Sequence, residues 1–477
     1  MKQMFINGQW THASSQAAAD VTNPATGEVV DQVPYAGRAE ARAAVEAAHA
    51  AFPGWSRLSA EERAEYLRKI YRLIVEHADH LAEVMTLEQG KPFEEARGEV
   101  LWGADFMLWY AEEARRVYGE MIPASRPTQR ILVQRQPVGV VAAITPWNFP
   151  SSMITRKLAP ALAVGCTVVV KPAPETPLSA IALFELFEQA GLPKGVVNLV
   201  TGDSQEIGRE FLENDKVRKI SFTGSTQVGK YLIEQSAAQV KKLSLELGGH
   251  APYIVFEDAD LDAAVEGLVF NKFQNGGQTC ICVNRIFVHE SIAAAFSEKL
   301  TSKIAELRIG NGMEPGVQIG PLIHERALSK VAEHVEDALA KGAGLLCGGQ
   351  RLLEGTFAQG YYYSPTVLTH VTEEMKIFHE ETFGPVAPLI PFSSEEEVVQ
   401  AANQTPYGLA AYFYTKDLAR TMRVSEQLEY GMIGINESAL GYVQAPFGGV
   451  KQSGMGREGG RHGIDDFLDY KYLNLNF

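Results

Sequence analysis

The run Gly139-Val140-Val141-Ala142-Ala143-Ile144 decides the fold class. It is short and almost wholly apolar, and three similar runs follow it: Thr167-Val168-Val169-Val170, Val196-Val197-Asn198-Leu199-Val200 and Lys219-Ile220-Ser221-Phe222. A strand with one wet face alternates apolar and polar residues, whereas one buried on both faces has no polar side. Between the second and third runs, Leu178 to Gln189 reads as a helix closed by Gly191 and Pro193. Strands alternating with helices in this way predict an α/β fold, a parallel sheet with helices over both faces. A second such series follows Gly248, with Tyr253-Ile254-Val255-Phe256, Arg285-Ile286-Phe287-Val288 and Val386-Ala387-Pro388-Leu389-Ile390.

Upstream, residues 38–117 are rich in Ala, Glu and Arg and read as helical; Tyr66, Leu67, Ile70, Leu73 and Ile74 recur at helical spacing after Ser59, a candidate N-cap. Two segments fit neither series. Arg130–Arg135 and Tyr470–Phe477 alternate apolar with polar and read as exposed edge strands, which either pair in an oligomer or stand as plain surface hairpins.

A chain of 477 residues is too long for one ordinary core, so two or three domains are expected. With 46% hydrophobic and 21% charged residues, the composition is that of a soluble globular protein. A net charge of −15 disfavours nucleic acid and anionic membrane as partners, since both reward clustered Lys and Arg. The amino terminus carries no apolar leader, and the longest apolar stretch, Leu158 to Val170, is interrupted by Pro160, Gly165 and Thr167. Four unevenly spaced cysteines make no disulfide framework, which points to a reducing cytoplasm.

Chemistry concentrates in Gly276-Gly277-Gln278-Thr279-Cys280-Ile281-Cys282-Val283. Cys166 and Cys347 sit in apolar runs and read as core residues, but small neighbours leave Cys280 open to approach. Cys282 faces the same way as Cys280 if the segment is extended, which makes it either a partner in a reversible disulfide or a bystander. No metal is expected, because Cys-x-Cys lacks further ligands at zinc spacing and His250 and His289 are isolated. Glu246, between a strand-like run and two glycines, is a candidate base, and Asn148, held between Pro146 and Pro150, a candidate oxyanion donor. Each also has a plain reading, as a strand-end carboxylate or an Asx-turn residue. A strand running into Gly224-Ser225-Thr226 opens a helix whose free N–H groups suit a pyrophosphate, and Lys171 adds a cation at another strand's carboxyl end. Gly454–Gly459 matches G-x-G-x-x-G but lacks a preceding apolar strand, so it reads as a Gly-rich loop over a crevice.

Together Pro146–Pro150, Lys171-Pro172-Ala173, Phe222–Ser225, Glu246–Gly249, Gly277–Cys280, Glu381–Pro385 and Pro446–Gly449 resemble the aldehyde dehydrogenase superfamily, in order and spacing. The resemblance implies a Rossmann-type cofactor domain (1–116 and 138–247), an α/β catalytic domain (248–448) and a small β oligomerisation domain (117–137 and 463–477) in a homodimer or homotetramer. It makes Cys280 the nucleophile, Glu246 the general base and Asn148, with the Cys280 N–H, the oxyanion hole. It places NAD or NADP on Thr145, Pro146, Trp147, Lys171, Pro174, Gly224, Ser225, Glu381 and Phe383. The glutamate at 246 favours a free acid over a coenzyme A thioester as product, leaving an acyl-CoA-forming enzyme as the lesser alternative.

Within the superfamily the chain is most similar to succinate-semialdehyde dehydrogenases, through Ser151–Lys157, Gly277–Cys282 and Gly448–Gly454. That branch implies a small anionic aldehyde held by Arg156, with Gln274 and Tyr442 where an arginine and a serine are usual; another aliphatic or aromatic aldehyde is the alternative. Pro174, where NAD-preferring relatives carry a glutamate, predicts that NADP+ is accepted.

Overall fold

A computed structural model describes residues 1–477. Its larger sheet runs, in spatial order, through Gly454–Met455, Lys242–Glu246, Val217–Thr223, Val140–Ile144, Thr167–Lys171, Val197–Leu199, Met4–Ile6 and Gln9–Thr11. The five central strands are parallel, and antiparallel strands close both ends. Val141, Ala143, Val168 and Val170 enter one apolar core with Leu67, Ile70, Phe184 and Phe187. Their neighbours Val140, Ala142 and Val169 enter another, with Val45, Ile207 and Phe211. Both faces are therefore dry, which is why these strands show no alternation.

The second sheet is ordered Gly344–Cys347, Thr366–Thr369, Val386–Phe392, Val283–His289, Ala251–Val255, Ala410–Tyr414 and Met432–Ile435, parallel except for its first strand. The amino-terminal third forms helices Arg38–Ser56, Ala60–Glu76, Ala78–Gln89 and Phe93–Glu113. Ser59 caps the second through a capping box with Glu62. No helix is long and apolar enough to cross a membrane.

The third sheet corrects one expectation. Gln129–Pro137 is its middle strand, flanked by Leu468–Asn476 and by Glu120–Ile122, so only the carboxy-terminal strand is the long open edge. Cys347 is half-buried at the rim of its sheet rather than in a core.

The two large sheets meet at one crevice. Lys242–Glu246 ends there and Ala251–Val255 begins, so the carboxyl edge of one sheet faces the amino edge of the other. The loops crossing this seam lie backbone on backbone. A Cβ on Gly249 would stand 2.4 Å from the Cys280 carbonyl oxygen, and one on Gly277 would stand 2.3 Å from that of Gly384. No side chain is available to yield at either contact. Gly249→Ala should therefore lower the thermal midpoint, at a cost on the order of 1–3 kcal/mol. Gly208→Ala, on helix Ser204–Glu213 with nothing within 4 Å of the added carbon, should leave the midpoint unchanged or raise it.

Candidate active site

The crevice holds a cavity of about 960 Å³ lined by loops beside the strands of both large sheets and by helix Phe93–Glu113. Cys280 reaches it because the helix Leu261–Phe273 ends in a left-handed reversal at Asn275 and Gly276, φ 50° and 62°. Its Sγ lies 3.9 Å from Glu246 Oε1. The thiol's pKa is pushed well above its ordinary value by burial and then by the Glu246 charge, so it is protonated at rest. The segment is not extended: Cys282 N–H donates to Thr279 O at 3.0 Å, and this turn sends the second thiol into the core. There Cys282 Sγ lies 3.3 Å from Lys272 Nζ while Cys280 faces the cavity, so the two thiols do not point the same way.

Glu246 closes its strand almost fully buried, and its other oxygen accepts from Arg156 Nη2. Arg156 Nε donates in turn to Glu458 Oε2, and Lys157 Nζ donates to Glu458 Oε1 and to Thr223 Oγ1 at 2.6 Å. Phe447 covers the Arg156 guanidinium at 4.2 Å. Two cations and two carboxylates thus form a dry, electrically balanced quartet behind the thiol. Burial pushes the Glu246 pKa up and Arg156 holds it back, leaving it at about 7. Burial would also raise Glu458, but Lys157 and Arg156 pull it down to about 2. Arg156 lines the cavity, and its guanidinium is shared between these two carboxylates.

Sequence reasoning missed Lys157 and Glu458. The signal was present: adjacent cations on the helix Ser152–Val164, every residue of which is buried, require buried counter-charges. Glu458 lies in the segment that matches a phosphate motif by letter. Its strand Gly454–Met455 instead pairs with Leu245 and Glu246.

Asn148 is anchored on three sides. Its Nδ2 donates to Gln278 O at 2.9 Å, and its backbone oxygen accepts from Lys91 Nζ at 2.7 Å and Asn275 Nδ2 at 3.0 Å. Lys91 is itself buried against Glu99. An amide nitrogen carries two hydrogens, so the second remains for the cavity that Asn148 lines.

On the opposite wall, Pro146, Trp147, Gly224 and Ser225 follow the strands Val140–Ile144 and Val217–Thr223, where strand order reverses and open α/β sheets bind ligands. Ser225 Oγ caps the next helix through Val228 N–H. Glu381 Oε1 accepts from Gly249 N–H at 3.0 Å, and burial raises its pKa to about 7. Phe383, at φ 58°, meets Trp147 edge-on at 5.6 Å. Thr279 Oγ1, on the wall, and Thr145 Oγ1, behind it, are buried hydroxyls with no protein partner. Thr145, just after Val140–Ile144, and Lys171 and Pro174, at and after the end of the neighbouring strand Thr167–Lys171, stay outside the cavity lining; Pro174 is exposed. Burial lowers the Lys171 pKa to about 8 despite Glu175. The rest of the wall combines the aromatic Trp102, Phe149 and Phe270 with charged Glu94, Glu95, Arg326 and Lys330, and Gln274 is half-buried and Tyr442 exposed.

Comparison with known proteins agrees along the whole chain. The profile described as the aldehyde dehydrogenase family matches residues 10–473. A 3-sulfolactaldehyde dehydrogenase of Pseudomonas putida is 56% identical over 474 residues, covering 99% of this chain and 97% of its own. The NADP(+) succinate-semialdehyde dehydrogenase of Escherichia coli (strain K12) is 53% identical over 472 residues, with 99% and 97% covered. The crystal structure of succinate-semialdehyde dehydrogenase from Burkholderia pseudomallei matches with a TM-score of 0.98 at 53% identity, over 100% of this chain and 98% of that one. The fold is the aldehyde dehydrogenase fold, the cofactor is NAD or NADP, and the chain belongs to the aldehyde dehydrogenase family.

Proposed function

We propose that this NAD(P)+-dependent aldehyde dehydrogenase converts a small anionic semialdehyde, such as succinate semialdehyde, to the free dicarboxylic acid. The observation that carries the residue roles is the 3.9 Å approach of Glu246 to Cys280 beside an anchored Asn148 amide. Glu246 takes the Cys280 proton, and the thiolate forms a C–S bond to the aldehyde carbon. The oxyanion is held by Asn148 Nδ2 and the Cys280 N–H. NAD(P)+, when bound, supplies the hydride acceptor. The unpaired Thr279 hydroxyl and the helix end at Ser225 suit a polar, anionic group, and Lys171 and Glu381 suit ribose hydroxyls. In the thioester stage Glu246, having passed the first proton on to solvent, removes a proton from water, water oxygen bonds to the carbonyl carbon, and the C–S bond breaks to return the Cys280 sulfur.

The substrate class rests on Arg156, a guanidinium on the cavity wall beside the thiol, and on the names of the relatives above. Gln274 and Tyr442 are neutral at the mouth, which favours one cationic contact with the tail rather than two. We also propose that strand Leu468–Asn476, with Tyr470, Tyr472 and Leu475 exposed along it, pairs with a second copy in a homodimer or homotetramer. Four free cysteines suit a reducing cytoplasm.

Cys280→Ala should abolish NAD(P)H production from succinate semialdehyde; residual turnover of a tenth or more would exclude Cys280 as nucleophile. The base must be ionised, so kcat/KM should fall as pH drops through about 7, the Glu246 value in the free enzyme. Glu246→Gln should lose about a hundredfold or more and that acid limb with it. The kcat/KM for NADP+ is expected to be no less than about a hundredth of that for NAD+, and a smaller value would refute acceptance of NADP+. Light scattering should find a dimer or tetramer, and Tyr470→Lys with Leu475→Lys should shift it toward monomer.

A further inference from the structure

We propose that Arg156 is a two-position clamp: it holds the base Glu246 in the resting enzyme and releases it when the substrate's anionic tail takes its place. This rests on the anionic substrate proposed above. The clamp is built from what surrounds Arg156. Its Nη2 meets Glu246, its Nε is fixed by Glu458 at 2.5 Å, and Phe447 stacks on its face. The Glu458 contact and the stacking hold the guanidinium in place, so the Nη2 end can change partners without moving the side chain. Arg156 also lines the cavity that Cys280 faces, and only one carboxylate, that of Glu246, separates the guanidinium from the sulfur. A short carbon chain bonded to the sulfur can therefore set its own carboxylate on Nη2.

The exchange swaps one carboxylate for another on the same donor, so nearly equal hydrogen bonds are lost and gained. The effect on Glu246 is large. While paired, its oxygen lone pairs are engaged by a cation, which weakens it as a base and pins it in place. Once displaced, it faces the thioester with one more negative charge inside a quartet that was balanced, and its affinity for a proton rises. That proton comes from the attacking water. The O–H bond of water breaks to Glu246, the new C–O bond forms at the thioester carbon, and the C–S bond breaks onto Cys280. Because the acyl chain stays tethered through this stage, its tail keeps Arg156 occupied until the acid leaves. An aldehyde without the anion leaves the base clamped in both stages, so Cys280 gives up its proton less readily and the acyl enzyme then meets a weaker base.

Rapid mixing with NADP+ tests this using succinate semialdehyde and its neutral methyl ester, methyl 4-oxobutanoate. The burst of NADPH reads acylation, and the following steady rate reads deacylation. In the wild type, the succinyl enzyme should deacylate at least about tenfold faster than the ester acyl enzyme, the size of one charge-assisted hydrogen bond. In Arg156→Gln the ester acyl enzyme should deacylate faster than in the wild type and match the succinyl enzyme; general structural damage would slow both. Equal deacylation of the two acyl groups in the wild type overturns the clamp without needing the variant, as does a wild-type difference that persists in Arg156→Gln. If the wild type shows no kcat/KM preference for the anion at all, it is the substrate assignment that fails instead.

Discussion

The approach of three backbone segments across one seam governs this molecule. Gly249 meets the Cys280 carbonyl and Gly277 meets the Gly384 carbonyl, at distances that leave no room for a single methyl group. Those contacts bring Cys280 and Glu381 into one cavity with Glu246 against the thiol, although the three come from a turn before a strand, a loop between strands and a strand end. Backbone contacts of this kind are stiff, because neither partner has a rotamer to change. Side chains mounted on them inherit that stiffness, as a preorganised site needs.

Within that frame the buried charges set each other's proton affinities. Isolated ions in so dry a place would be costly, and removing one member of such a set strands its partner. Here four members balance: Arg156 and Lys157 from consecutive positions on one helix, Glu246 from the sheet, and Glu458 from the glycine-rich return. Glu458 stays ionised across the working range and anchors both cations, while Glu246, with one cationic partner, sits near neutrality. Two carboxylates in the same cluster thus differ through the number of cations each one touches.

Much of this was legible in the chain. Continuous apolar runs such as Val140–Ile144 marked strands buried on both faces, because burial on both sides removes the need for alternation. Cys280 stood out through its small neighbours, and Glu246 through its place at a strand end before two glycines. The direction of Cys282 was not legible, since it depends on a turn after a left-handed reversal that Asn275, a non-glycine residue, helps to make. The central place of Gln129–Pro137 was hidden for another reason: its second neighbour, Glu120–Ile122, spans only 3 residues and carries no periodic signal. Glu458 escaped because its partners lie in a segment far away along the chain, and local pattern carries no record of long-range charge pairing.

The quartet also has a bearing on synthesis. Lys157 and Glu458 are separated by 301 positions, so during translation the two cations emerge long before their second carboxylate exists. The strand Gly454–Met455 that brings Glu458 in also completes the edge of the larger sheet beside Glu246. Until that last stretch leaves the ribosome, Lys157 lacks its carboxylate, Arg156 has only Glu246, and their buried helix carries an unbalanced charge. The set of charges is therefore completed only when Glu458 is made, and a polypeptide holding Cys280, Asn148 and Glu246 without it would lack that carboxylate.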